Sequence, residues 1–281
     1  MNKIKITCDS TCDLTQELYS KYDIEVIPLT IALGEELRLD GSGIDADELF
    51  DYVSRSGQLP KTSAISIGEF QDFFGKYVSE GYTVIHTGIS SCLSSSYQNA
   101  CIAAQEVGNV FVVDSLNLST GSGHLAIMAA ELANSGMSAE EIVNTLNEKK
   151  EKLDVSFVLQ TLEYLQKGGR CSSLVAFGAN ALKLRPEIEV NEGGMGVGKK
   201  YRGDIEKSVL AYVRGRLEGR EDVDTGRIFV THSGVPEALL EKVVSLVKEL
   251  HPFEEVLITR AGCTISSHCG PNCLGVLFFK K

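Results

Sequence analysis

The stretch YTVIHTGISSCLSSSYQNACIAAQEVGNVFVVDS, residues 82–115, decides the fold. It begins with an apolar run, YTVIHTGI, of the length and composition of a buried strand. It ends with another, NVFVVDS. Between them Ser95 and Gln98 have the spacing of a capping box, which predicts a helix from Ser96 to about Val107. Strand, helix and strand in this order is the unit from which parallel sheets are wound.

The same alternation extends towards the N-terminus. KIKITCDS reads as a first strand stopping at Asp9 and Ser10, LTQELYSKYD as a helix, and EVIPLTIAL as a second strand with Pro28 marking an edge or a bulge. DADELFDYVSRSG is an amphipathic helix closed by Gly57. LPKTSAIS reads as turn-rich. Ser66 with Glu69 forms a capping box that opens a further helix. Beyond residue 115, STGSGHLAIMAAELANSG is a helix with a glycine-loosened start, and Ser138 with Glu141 caps the next one. The expected fold is therefore α/β, with a doubly wound parallel sheet in an N-terminal domain, residues 1–152.

From residue 153 the pattern changes. VSFVLQT is a strand, and LEYLQKGGRCSSL a helix ending at Gly168 and Gly169. The segment 176–203 contains hairpin-like strands around a glycine turn. EEVLITRAG and CLGVLFF read as paired final strands. This predicts a second α/β domain, residues 153–281, with a mixed sheet.

The chain has 281 residues, enough for two packed domains, and ordinary globular composition. Its net charge of −11 argues against a nucleic-acid or anionic-lipid surface. No apolar run approaches the ~20 residues of a membrane helix, and the N-terminal lysines meet Asp9 before any signal-like stretch. A cytoplasmic location is expected. Eight cysteines in such a chain read as reduced thiols. Cys8 with Cys12 and Cys269 with Cys273 share a spacing, but lack the tight knuckles of a metal site, so none is expected.

Two familiar phosphate motifs fail. GGMGVGK, residues 193–199, is followed by Lys200 where a magnesium-binding hydroxyl is needed, and it reads as a hairpin turn. No G-x-G-x-x-G opens the first helix. The serine loop, Ile89 to Ala100, has two physical readings. Ser95 could simply cap the helix, with Ser94 not needed for that task. Alternatively, hydroxyls ahead of a helix start can hold an anion, because that end carries unpaired N–H groups and a positive dipole. The loops CDSTCD, KTSAIS, DSLNLSTGSGH and TISSHCGPN carry similar chemistry. Loops after strand ends converge on one crevice in a doubly wound sheet. Such neutral donors suit a carboxylate better than a phosphate. Arg170 is the cationic exception, either a rim charge or a helix C-cap. A serine hydrolase or acyltransferase using a serine of residues 90–96 is the enzymatic alternative, although the G-x-S-x-G elbow is missing.

DSTCDL, KTSAIS, ISSCLSSSYQNA, VVDSLNLSTGSG, TLEYLQKGGRCS and SSHCGPNCLGV occur here in the order seen in the DegV family, and the chain resembles that family from about residue 4 to 279. The resemblance implies a carrier, not an enzyme. It would bind one long-chain fatty acid in an apolar tunnel between the domains and need no other cofactor. It implies that Thr62, Ser94 and His268 hold the carboxylate, with Ser63, Ser95, Arg170 and Gly270 around the head group. It also implies an ATP-dependent fatty acid kinase as partner, to which the acid is presented for acyl-phosphate formation in phospholipid metabolism. Three positions depart from the family pattern: Ser95 replaces a glycine, Ala64 and Ile65 stand in TSAIS, and Asn272 and Cys273 in HCGPNC.

Overall fold

The computed structural model describes residues 3–171 and 184–281. Residues 172–183, including the first part of the anticipated hairpin segment, lie outside that description. The N-terminal half contains β1 (Lys3–Asp9), α1 (Gln16–Tyr22), β2 (Ile24–Ile27), β3 (Thr30–Leu33), β4 (Glu36–Leu39), α2 (Ala46–Ser56), β5 (Lys61–Ser63), α3 (Ile67–Ser79), β6 (Tyr82–Gly88), α4 (Ser96–Val107), β7 (Val110–Asp114), α5 (Thr120–Asn134) and α6 (Ala139–Lys149). The C-terminal half contains β8 (Leu153–Val158), α7 (Glu163–Gly168), β9 (Leu184–Asn191), β10 (Gly194–Arg202), α8 (Ile205–Leu217), β11 (Val223–His232), α9 (Glu237–Leu250), β12 (Glu255–Arg260), α10 (Cys263–Cys269) and β13 (Leu274–Lys280). Among the described residues no helix is long and apolar enough to cross a membrane.

The architecture is a two-domain α/β fold. One sheet has the order β2-β1-β6-β7 and is parallel throughout. The other has the order β10-β9-β8-β13-β11-β12; it is mixed, with only β11 and β12 parallel. The stretch that opened the reading forms β6, α4 and β7 as expected. The final strands differ from expectation: β12 and β13 are not neighbours, because β11 lies between them and pairs with both. The α10 segment crosses from one side of β11 to the other, which a direct hairpin between β12 and β13 could not do.

Two further differences arise at Pro28. EVIPLTIAL is not one strand but two, β2 and β3, in different sheets. Proline has no N–H to continue a ladder, so the chain leaves the parallel sheet there. β3 then starts a small antiparallel sheet, β4-β3-β5. Its free edge recruits Lys61–Ser63, with Ile31 opposite Thr62. The KTSAIS segment is thus partly strand rather than turn.

Helix α5 joins the halves. Every residue from Thr120 to Ile127 is buried, which its small side chains and its hydrogen-bonded Thr120, Ser122 and His124 allow. Thr120 Oγ1 lies 2.6 Å from Thr231 Oγ1 of β11, and His124 Nε2 lies 3.1 Å from the Leu277 carbonyl of β13. The close approach at the start of α5 demands glycine: a Cβ on Gly123 would lie 2.7 Å from Leu14 Cδ2 and 2.8 Å from the Cys12 carbonyl.

Candidate carboxylate site

The loops after β1, β6 and β7 meet as the parallel arrangement requires. The Ile89 N–H donates to Asp9 Oδ2 at 2.9 Å, the Ser91 N–H to Asp114 Oδ1 at 3.2 Å, and the Ser90 N–H to the Asn117 carbonyl at 2.8 Å. Asp9 is buried, and burial pushes its carboxyl up to about 6. The serine loop is therefore held from both flanking loops before α4 begins.

Its internal chemistry reverses one expectation. Ser95 has helical backbone angles and makes no capping hydrogen bond. Ser94 does that work: its Oγ accepts from the Ser96 N–H at 3.1 Å and lies 3.0 Å from Ser96 Oγ. A short ST-type turn thus displaces the capping box, whose geometry needs an extended residue at Ser95. The first intrahelical bond runs from the Asn99 N–H to the Ser95 carbonyl at 3.0 Å, so beyond the Ser94-bonded Ser96 amide, those of Tyr97 and Gln98 are the donors of the helix start. The Ser95 side chain is left exposed on the surface of the adjoining cavity.

That cavity has a volume of about 700 Å³. Thr62, Ser63, Ser94, Ser95, Arg170 and His268 all line it. The structure therefore brings together six of the seven anticipated residues. Thr62 enters from β5 and His268 from α10, 206 positions apart, and Thr62 Oγ1 lies 2.9 Å from His268 Nε2. Burial, helped by the positive Arg170, pushes the His268 imidazole down to about 4, so it is neutral at pH 7. Arg170 is exposed and donates from Nη1 to the Gly168 carbonyl at 2.7 Å. It is both C-cap and rim cation, so the two readings do not compete.

Gly270 does not line the cavity. It is the buried residue after α10, with φ +73°, and a Cβ there would lie 2.7 Å from Tyr164 Cδ2. Its role is to let the chain turn from α10 towards β13 under the tyrosine ring.

Several wall residues were not legible beforehand. Leu118, Thr264, Ile265 and Met195 line the same cavity. Met195 arrives on the β9–β10 hairpin, whose tip rests on the serine loop: Cys92 Sγ lies 3.6 Å from the Glu192 carbonyl. Gly168 is a second omission. A Cβ on it would lie 2.4 Å from His268 Nδ1, so this glycine makes room for the ring. Gly168→Ala should leave the helix intact, since alanine is the better helix former. It should displace the imidazole, break the Thr62 contact, and weaken carboxylate binding by about tenfold, the value of one hydrogen bond. Fatty-acid titration beside a thermal melt checks this; unchanged affinity would dissociate His268 from the site.

Deeper in, Leu118, Ile265 and Cys269 are shared with a narrow void of about 20 Å³. Phe157, Cys273 and Leu277 complete much of its wall. The cavity with the polar head thus shares three wall residues with an apolar seam between α5, α10 and the mixed sheet.

Among the described residues, none of the five histidines bonds to a serine of the cluster. His86 pairs with Thr7, His124 with the Leu277 carbonyl, His232 with the Gly234 and Val235 amides, His251 with the Leu217 carbonyl, and His268 with Thr62. A nucleophilic serine there has no imidazole base.

The model of the DegV family matches residues 3–281. The chain is 31% identical to the fatty acid-binding protein of Thermotoga maritima, covering 97% of this chain and 96% of that protein. It superposes on the solved structure of a DegV family protein from Thermus thermophilus, described for its fatty acid binding, with TM-score 0.87 and 32% identity over 99% of this chain and all of that one. It also superposes on the crystal structure of a stearic acid-binding protein of Eubacterium ventriosum with TM-score 0.88 and 25% identity, covering 99% of this chain and 98% of that one. With the two-domain α/β fold and the full-length match, this chain belongs to the DegV family.

Proposed function

We propose that this protein binds one long-chain fatty acid non-covalently and presents its carboxylate to an ATP-dependent fatty acid kinase. The observation that carries the reading is one cavity with hydroxyl and imidazole donors at its head and an apolar seam behind it. Thr62, Ser94 and His268 are assigned to the carboxylate. The family relatives that bind fatty acids support the ligand class.

The energetics agree. Moving an acyl tail out of water contributes ~0.8 kcal/mol per methylene, on the order of 10 kcal/mol gross for sixteen carbons. A buried carboxylate still needs hydrogen bonds, or its desolvation offsets much of that. Neutral His268 keeps Thr62 oriented without adding a buried charge. The inner void is narrow, so Leu118, Ile265 and Cys269 must shift as the tail enters. At the open end, Ser63, Ser95 and Arg170 are exposed, which leaves the head group approachable by a partner carrying ATP. The kinase assignment rests on the family resemblance and on this exposure.

Mass spectrometry of the protein from a bacterial host tests the reading. The native mass should exceed the chain by one fatty acid that is lost on denaturation. An acyl mass surviving denaturation would replace the carrier with an acyl-serine enzyme. Absence of lipid, with no uptake of added palmitate, would remove fatty acid as the ligand. Acyl phosphate should then form when the loaded protein meets a bacterial fatty acid kinase and ATP.

A further inference from the structure

All eight cysteines are free thiols, and two pairs repeat the same spacing. Cys8 with Cys12 and Cys269 with Cys273 are all buried. Each pair is four positions apart, and the neighbouring thiol together with burial holds Cys12 and Cys273 well above the ordinary thiol range. The pairs differ in what they face. Cys8 and Cys12 sit in the apolar core and line neither the cavity nor the inner void. Cys269 lines both, and Cys273 lines the inner one. The turn between them is fixed. Ser233 Oγ donates to the Gly270 carbonyl at 2.6 Å and accepts from the Cys273 N–H at 2.9 Å, and the Asn272 N–H reaches the Ser233 carbonyl at 2.9 Å. Asn272 holds φ +55°, a left-handed angle that asparagine tolerates.

We propose that Cys269 and Cys273 form a redox site on the acyl path, oxidised to a disulfide by a hydroperoxide group on the bound fatty acid. The inference rests on the reading that the acyl tail passes Cys269. Buried thiols are ordinarily inert because they are shielded from dissolved oxidants and little ionised. A ligand that carries its own oxidant into the seam removes the first barrier through proximity. The Cys269 sulfur takes the distal oxygen of the hydroperoxide, breaking the O–O bond and leaving the acyl alcohol. The Cys273 sulfur then attacks the sulfenic acid, forming the S–S bond and releasing water. Two thiols lose two electrons and two protons, and the hydroperoxide becomes alcohol plus water. No reductant is supplied to reopen the disulfide, so each chain reacts once, and the little-ionised Cys273 thiol makes the closing step slow.

The two pairs supply their own control. The protein is incubated with linoleic acid hydroperoxide, with linoleic acid, or with an equal concentration of hydrogen peroxide, then alkylated in denaturant and digested with trypsin without reduction. The peptide 261–280 holds Cys263, Cys269 and Cys273, and the peptide 6–21 holds Cys8 and Cys12. With the lipid hydroperoxide, 261–280 should take one alkyl group instead of three and lose two hydrogens, while 6–21 takes both of its labels. The change should be at least ~10-fold faster than with hydrogen peroxide, reflecting delivery in the cavity. Cys269→Ser should abolish it. Equal oxidation of both peptides, equal rates with both oxidants, or intact thiols beside bound hydroperoxide would each overturn the proposal. Failure of linoleic acid itself to bind would overturn the carrier reading and this inference together.

Discussion

Thr62→Ala combined with Ser94→Ala should weaken fatty-acid binding sharply while leaving the fold in place. Both hydroxyls line the cavity head, and Thr62 is oriented by the 2.9 Å contact with His268. A hydrogen bond to a charged group contributes roughly 1.5–3 kcal/mol. Losing two should cost ~3–5 kcal/mol of binding, or about a hundred- to a few thousand-fold in affinity. The apolar tail still favours binding, so residual, weak and head-group-indifferent uptake is expected rather than none. Ser94 also caps α4 through the Ser96 amide, so the double variant should lose about 1 kcal/mol of stability. Ser63→Ala and Ser95→Ala are the matched controls: both side chains line the same cavity but are exposed, and should change affinity by a few-fold at most. Affinity measured by displacement of a fluorescent fatty acid, with a thermal melt of each variant, decides the matter. Native-like retention in the double variant would move the carboxylate elsewhere.

The sequence made the parallel half legible because its signals are local. The capping boxes at Ser66/Glu69 and Ser138/Glu141 are present as read, and Gly57 and Gly169 close their helices in the left-handed conformation. What failed was tertiary. Whether Ser94 or Ser95 caps α4 depends on the path by which the loop leaves β6, which residue type does not encode. Lys61–Ser63 of KTSAIS become a strand only because β3 offers them an edge, and nothing within those residues signals the pairing. β11 intrudes between β12 and β13 because sheet order is a long-range choice. The site divides in the same way. Thr62, Ser94 and His268 came from the family resemblance, since only the folded chain brings residues 206 apart into contact. Gly168 stood in plain view within KGGR, yet its task is to clear space for His268, and an absent side chain has no visible partner in a sequence.

Asp40→Ala should be the most damaging change outside the cavity wall, and nothing in the sequence marked it. Asp40 is buried in the segment after β4, and its two oxygens organise the start of α10. Oδ1 accepts from the Cys263 N–H at 2.7 Å. Oδ2 accepts from the Thr264 N–H at 3.1 Å, from Thr264 Oγ1 at 2.6 Å, and from Ser10 Oγ at 3.0 Å. Asp13 completes the grip by accepting from the Gly262 N–H at 2.8 Å. Carboxyl oxygens from the N-terminal half thus meet the free N–H groups at the start of the short helix that carries Ile265, His268 and Cys269. Alanine would orphan four donors in a buried place, each costing ~1–3 kcal/mol, offset in part by water entering the gap. A net loss of about 3–5 kcal/mol is expected, lowering the melting temperature by roughly 10 °C in a chain of this size. Asp40→Asn keeps one acceptor but turns an N–H₂ towards donors, so it should fall between alanine and the parent. The functional loss should exceed what stability alone explains, because α10 sets the position of His268. At a temperature where Asp40→Ala remains folded, its fatty-acid affinity should still drop by at least ~10-fold, the cost of one misplaced head-group contact. Parent-like affinity in folded Asp40→Ala would show that α10 holds His268 in place without its carboxylate anchor.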